Sequence, residues 1–283
     1  MSGRARGRPH SVHRRCGRGE VPTVTFGLPV VDLLGSVATS TQLRGRQTVD
    51  GQVWIYVLFI AVFAIAITAQ FVVAHRKRQA AQQWAAAHGW TYSRSDASLV
   101  TRWSSPPFRR GSSRRAINVL TGTWNGAPAA SFTYKYDTGS GKNRTTHYHH
   151  VVAFSLPVRL PWLRLEPEGF GDSIAKFFGG QDIEFESAAF NDRWRVKGPE
   201  GQFPYDFLHP RMMERLLAPD AYGSSITVEG ADIYLYRSGR QDLKVIEPAL
   251  HLLSNIVDQV PRFLWQKVGY DPDAGGAVRR PGA

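Results

Sequence analysis

Val53 to Ala74 reads VWIYVLFIAVFAIAITAQFVVA, 22 residues without a charge, and His75-Arg76-Lys77-Arg78 follow at once. As a helix this run covers about 33 Å, enough for the roughly 30 Å hydrocarbon layer of a bilayer. A buried core helix is the rival reading. Such helices usually stop within about 20 residues and carry polar positions, whereas only Thr68 and Gln70 interrupt this run. A cleaved signal sequence is disfavoured too, because its apolar region spans only about 7 to 15 residues. The run predicts a retained transmembrane helix over 53–74, continued by a juxtamembrane helix over 75–89 whose good helix formers end at Gly89.

Residues 1–52 carry eight arginines against Glu20, Asp32 and Asp50 and show no sustained periodicity. They read as a disordered basic tail; translation from Val49 is a rival reading of this end. Within about 20 residues of the span, Arg44 and Arg46 precede it, and Arg76, Lys77, Arg78 and Arg94 follow. This bias favours a cytoplasmic C-terminal domain at the cell membrane. Cys16 is the only cysteine, so residues 53–283 can form no disulfide and offer no thiol nucleophile.

The formal net charge of +12 invites a nucleic-acid reading, and its distribution argues against one. Residues 75–115 hold nine basic residues and one acid, whereas residues 116–270 hold 16 basic residues and 17 acids. The surplus is juxtamembrane, which suits anionic lipid. Candidate lipid contacts are Arg76, Lys77, Arg78, Arg109, Arg110, Arg114 and Arg115, the last four in a loop over 102–115 that also holds Trp103 and Phe108.

Beyond the helix, the pattern changes to strands. Ala116–Trp124 and Ala127–Tyr136 flank Asn125-Gly126, the pair that best supports a two-residue hairpin turn. Thr145–Leu156 supplies a third strand of an antiparallel meander. A short extended segment over Leu160–Leu165, a helix over Asp172–Phe178, and strands over Ile183–Phe185 and Trp194–Lys197 follow. Pro210 opens a helix through Leu217, and Ser225–Glu229 with Asp232–Tyr236 form a second candidate hairpin across Gly230-Ala231. Val245–Trp265 has the i, i+3, i+4 apolar spacing of a long helix, kinked at Pro261. The expected fold is α+β: one N-terminal transmembrane helix, then a single antiparallel-sheet domain over 90–267 with a long C-terminal helix. Residues 268–283 read as a disordered tail.

Several motifs invite chemistry. Asp137-Thr138-Gly139-Ser140 spells an aspartic protease loop, but that reaction needs two carboxylates sharing a proton, and turn residues surround this copy. Gly141-Lys142-Asn143 lacks the Ser or Thr and the upstream glycine of a phosphate loop. In His147-Tyr148-His149-His150, a strand would place His147 and His149 on one face as weak metal candidates, two ligands short of a closed site. The Phe190–Met213 stretch is dense in aromatic and charged residues; it could line a groove, and a packed core with polar edges is the favoured reading.

Ala87-His88-Gly89-Trp90, the strand Asn118-Val119-Leu120-Thr121-Gly122 and the stretch from Phe190 to Met213 resemble a family of uncharacterised single-pass membrane proteins from high-GC Gram-positive bacteria. The resemblance covers roughly residues 53–267 and implies topology and fold, with no catalytic residue to transfer. The sequence thus favours a non-catalytic interaction module at the membrane, with membrane lipid and a protein as partners, no cofactor, and nucleic acid disfavoured. An anionic-lipid or small-ligand binder, or an enzyme with an unrecognised site, is the alternative.

Overall fold

The computed structural model describes residues 51–168 and 182–273, in two compact units that divide at Ala64/Ile65. The basic tail before residue 51, the helix expected over Asp172–Phe178 and residues 274–283 lie outside the described residues.

Helix α1, Gly51–Ala87, is one continuous helix long and apolar enough to cross a membrane. None of its most apolar stretch is buried: Phe59 and Phe63 are each 68% exposed and Phe71 is 72% exposed. A core helix would hide these rings in protein, so their natural solvent is lipid. Among the described residues α1 is the one helix with the length and composition of a membrane span.

After α1 come β1 (Thr91–Ser95), α2 (Ser98–Thr101), β2 (Ser112–Trp124), β3 (Ala127–Thr138) and β4 (Thr145–Pro167). Next are β5 (Asp182–Ile183), α3 (Ala188–Asn191), β6 (Trp194–Lys197), α4 (Phe203–Phe207) and α5 (Pro210–Leu216). The described chain closes with β7 (Ser225–Ser238), α6 (Leu243–Asp258) and α7 (Arg262–Lys267). The strands form one antiparallel sheet in the order β1-β2-β3-β4-β6-β5, and β7 lies along the other side of β4. The fold is α+β.

The β2–β3 hairpin turns at Asn125-Gly126 as its sequence demands, with Asn125 and Gly126 both at positive φ. Trp90 lies flat on β2 at Gly122, where an added Cβ would come within 2.4 Å of the indole. The missing side chain lets the residue that leaves α1 seat on the sheet.

Two sequence expectations are corrected. Ser225–Glu229 and Asp232–Tyr236 do not pair with each other; they are the two halves of β7, and both pair with β4. Gly230 alone has positive φ, which would also suit a two-residue turn with glycine first, so the pairing of both halves with β4 decides the matter. Gly230 bends the strand instead, opposite Leu160, where β4 shifts register twice between Ser155 and Leu163. The extended segment Leu160–Leu165 is accordingly the second half of β4 itself. The long C-terminal helix is likewise divided: α6 ends at Asp258, and α7 restarts behind Pro261. Proline has no N–H to continue the ladder and disfavours the helical conformation in the residue before it.

The sheet's two faces differ. One is covered by α6, with Leu252, Leu253 and Ile256 packed among Val152, Leu163, Val228 and Leu235. The other gathers Trp103, Phe108, Phe132, Tyr134, Tyr136, Tyr234 and Tyr236. Alternation along the strands sends successive side chains to opposite faces and so separates the two sets.

Candidate functional site

The second face is the inside of the β4–β7 bend. Residues far apart along β7 meet there: Tyr234 comes close to Thr227, and Tyr236 to Ser225. At the ends of the bend, Arg237 Nε donates to Ser224 Oγ at 2.6 Å. Burial pushes the Tyr134 and Tyr236 hydroxyls up to about 12 and the Tyr234 hydroxyl well above its ordinary value. None of these phenols gives up its proton in the physiological range.

Over this face runs a strap, residues 102–110, held by two carboxylates of β7. Asp232 accepts from Arg102 Nε (2.9 Å) and Nη2 (2.8 Å), Trp103 Nε1 (3.1 Å) and Ser155 Oγ (2.9 Å). Glu229 accepts from the backbone N–H groups of Ser104 (2.7 Å) and Ser105 (3.0 Å). Trp103 and Phe108, whose sequence context suggested exposure at an interface, are only 1% and 0% exposed. They are the apolar underside of the strap. A hollow of about 170 Å³ sits beside it, lined by Ser98, Leu99, Arg102, Gly122, Phe154 and Asp232 among others; small-molecule sites typically run from about 300 Å³ upward.

The histidines of β4 divide as strand geometry requires. His147 and His149 both stack on Tyr136, with centroids 5.0 and 5.7 Å away, while His150 points to the other face. His147 Nε2 pairs with Thr138 Oγ1 at 2.7 Å. His149 has no hydrogen-bond partner on either ring nitrogen; burial, then His147 and Arg110, lower its pKa to about 4. Among the described residues no three His, Cys, Asp or Glu side chains gather as a metal site. His150 Nε2 meets Ser131 Oγ at 3.0 Å, and Gln241 Nε2 donates to the same hydroxyl at 2.9 Å, tying the approach to α6 onto the sheet. Burial brings His150 to about 4 as well.

Asp137 closes β3 in an ion pair with Arg144 and accepts from Thr146 Oγ1 at 2.6 Å. The hydrogen bond from Arg144 holds its carboxyl down at about 2. A carboxylate locked ionised in this way anchors a turn; the protease-like reading of Asp137-Thr138-Gly139 gains no geometry here.

No protein-family model matches the chain, and no curated protein does. Among solved structures it is similar to the crystal structure of the mycobacterial trehalose monomycolate transport factor A, TtfA, with 13% identity over 65% of this chain and 96% of that chain and a TM-score of 0.47. At that distance the likeness assigns neither a family nor an activity.

The basic candidates fall into two places. Arg76, Lys77 and Arg78 are exposed on α1. Arg109, Arg110, Arg114 and Arg115 stand at the far end of β2: Thr91, next to Trp90, pairs with Thr121, whereas Ser112 pairs with Asp137. β2 shifts register twice between them, and its partner β3 covers the same stretch in the seven steps from Ala130 to Asp137, so at about 3.3 Å per residue the two ends are roughly 23 Å apart. Sequence reading found the basic cluster and missed Asp232 and Glu229. Their one signal is that each is a carboxylate in a run of β-forming residues, and that does not disclose a partner some 125 positions upstream.

Proposed function

We propose that this protein is a single-pass membrane protein whose domain lies in the cytoplasm and works as a non-catalytic interaction module. The observation that carries the reading is α1: a helix exposed along its most apolar stretch, with Arg76, Lys77 and Arg78 directly behind that stretch. The cationic flank supports a cytoplasmic domain through the positive-inside bias. The module reading is supported by the uses to which the domain puts its polar groups. Asp232 and Glu229 hold the strap, Asp137 holds a turn and His150 holds the approach to α6. The resemblance to uncharacterised single-pass proteins of high-GC Gram-positive bacteria belongs to the same proposal.

The test uses membrane vesicles of both orientations carrying the full chain. Protease should remove the domain from inverted vesicles and spare it in right-side-out ones. Native gels of gently solubilised membranes should show the chain in a complex heavier than its 31.6 kDa. Protection in inverted vesicles would overturn the orientation, and migration as a free chain would overturn the module. A second reading, contact with anionic lipid, is favoured by Arg76, Lys77 and Arg78; exchanging them for Gln should weaken retention on phosphatidylglycerol-rich bilayers relative to neutral ones.

A further inference from the structure

We infer that the inside of the β4–β7 bend holds a binding site for a small anionic group, a carboxylate or a phosphate, gathered round the hydroxyl of Tyr236 by Arg110, His149, Arg164 and Glu166. Such a site stands whether or not the domain also docks a protein. Arg164 and Glu166 alternate along β4 with Leu163 and Leu165 of the core under α6, so both point into the bend. Their side chains are only 5% and 9% exposed, yet Arg164 Nε stands 3.5 Å from Glu166 Oε1, and neither atom has a hydrogen-bond partner. A charged hydrogen bond of ordinary strength is about 2.8 Å long. Burying two charges against so loose a contact is costly unless further hydrogen bonds satisfy them. Both ring nitrogens of His149 are unpaired as well. Among the described residues, every buried side-chain atom without a hydrogen bond lies on this face of the sheet, apart from Trp124 Nε1 and Gln259 Oε1.

These groups converge. The Tyr236 ring meets His149 edge-on with centroids 5.6 Å apart, and its hydroxyl lies close to Ser225 and within electrostatic reach of Glu166, Arg110 and Arg164. Arg110 is paired with no carboxylate among the described residues. The two carboxylates of β7 on this face are taken, Glu229 by the N–H groups of Ser104 and Ser105, and Asp232 by Arg102, Trp103 and Ser155. Round Tyr236 two guanidinium groups therefore face one carboxylate, and His149 is neutral, so one positive charge is left over. Guanidinium groups only donate hydrogen bonds, and Glu166 is the sole carboxylate acceptor beside them. The set lacks acceptors and negative charge, and a carboxylate or phosphate brings both in the geometry that guanidinium groups bind with paired hydrogen bonds. A cation or an apolar group would leave Arg164 unbonded. Arg110 and His149 are only half-buried, which marks their end of the bend as the way in, and Arg164, Glu166 and Tyr236 are buried deeply enough that only a small group reaches them.

The experiment uses the full chain in phosphate-free maltoside micelles, titrated with inorganic phosphate or acetate at constant ionic strength while the thermal midpoint is followed. A group that binds only the folded chain raises the midpoint saturably. Phosphate or acetate should do so, and glycerol should not. Arg164→Met with Glu166→Met, which replaces the buried pair by apolar side chains, should abolish the response. Arg110→Gln should raise the half-saturating concentration at least fivefold. Glu166→Gln removes the one opposing charge and should lower it by a similar factor, whereas Lys244→Gln, exposed on α6, should leave it unchanged. If the double variant melts without cooperativity, the opposite shifts of Arg110→Gln and Glu166→Gln still decide. Phosphatidylglycerol added to the micelles in place of the salts separates the sources: a raised midpoint that Arg110→Gln diminishes identifies a lipid head group, and a response to the free salts alone identifies a soluble anion. A midpoint indifferent to phosphate, acetate and phosphatidylglycerol alike, or a response that Arg110→Gln and Glu166→Gln leave unshifted, would overturn the site.

Discussion

Helices α1 and α6 are both rich in apolar side chains and dispose of them in opposite ways. On α6 the apolar residues share one stripe, and Ile246, Leu250, Leu253 and Ile256 are all within 1% of complete burial, while Lys244, Glu247 and His251 face out. Along α1 from Val53 to Val73 the large apolar side chains are exposed around the whole helix, from Ile67 at 39% to Phe71 at 72%. One helix finds its apolar solvent in the sheet it covers, and the other needs a solvent the protein does not provide. The all-round pattern is the physical content of a membrane span.

That contrast is broken most severely by charging α1. Each Arg near the centre of a span costs about 3 kcal/mol on insertion, so Phe59→Arg with Phe63→Arg should move most of the chain out of the membrane pellet, as immunoblots of fractionated cells will show. Next, Leu253→Ala in α6 should lower stability by about 2 to 5 kcal/mol in denaturant titrations of the solubilised chain, with membrane partition unchanged. If Leu253→Ala altered partition as strongly as the arginines, the two helices would not be doing different jobs.

Smaller effects sharpen the matching contrast between the sheet's two faces. Asp232→Ala strips the strap of its main anchor and leaves Arg102 and Trp103 Nε1 without their acceptor. Because Arg102 is 44% exposed and can rehydrate, the cost should be about 2 to 3 kcal/mol. Trp103 fluorescence would report the loosened strap, and Leu253→Ala should leave that signal in place.

Acid tests both faces at once. His149 and His150 are held neutral, at about 4 against an ordinary 6.5. As pH falls the unfolded chain takes its protons first, so stability present above pH 6.5 is lost progressively toward pH 4. By pH 5 the loss is about 2 kcal/mol per histidine. A melting midpoint that stays level from pH 7 to pH 5 would contradict these burials, and His150→Gln should flatten roughly half the slope.

Local signals in the sequence carried much of this fold. Asn125-Gly126 marked the β2–β3 hairpin, the apolar period over 245–265 marked α6 and α7 as one helix, and length alone marked α1. The features that escaped share a cause. β1 is five residues, Thr-Tyr-Ser-Arg-Ser, with no alternation, and exists because Gly122 admits Trp90 beside it. Gly230 marks a turn in either fold; that β7 bends without pairing to itself depends on a 23-residue β4 long enough to partner both halves. Trp103 and Phe108 look like interfacial aromatics until Asp232 and Glu229 pull their strap down, and those partners lie more than 120 positions along the chain. The basic run from Arg109 to Arg115 was legible as charge, and its position at the end of β2 next to Asp137 was not.

Alkaline carbonate extraction of native membranes, followed by an immunoblot for the domain, tests the central claim most directly. It strips proteins held by surface charge and leaves those whose helix spans the hydrocarbon layer. We expect the full chain to remain in the lipid pellet, and its release into the supernatant would contradict the reading of Val53 to Ala74 as a membrane span.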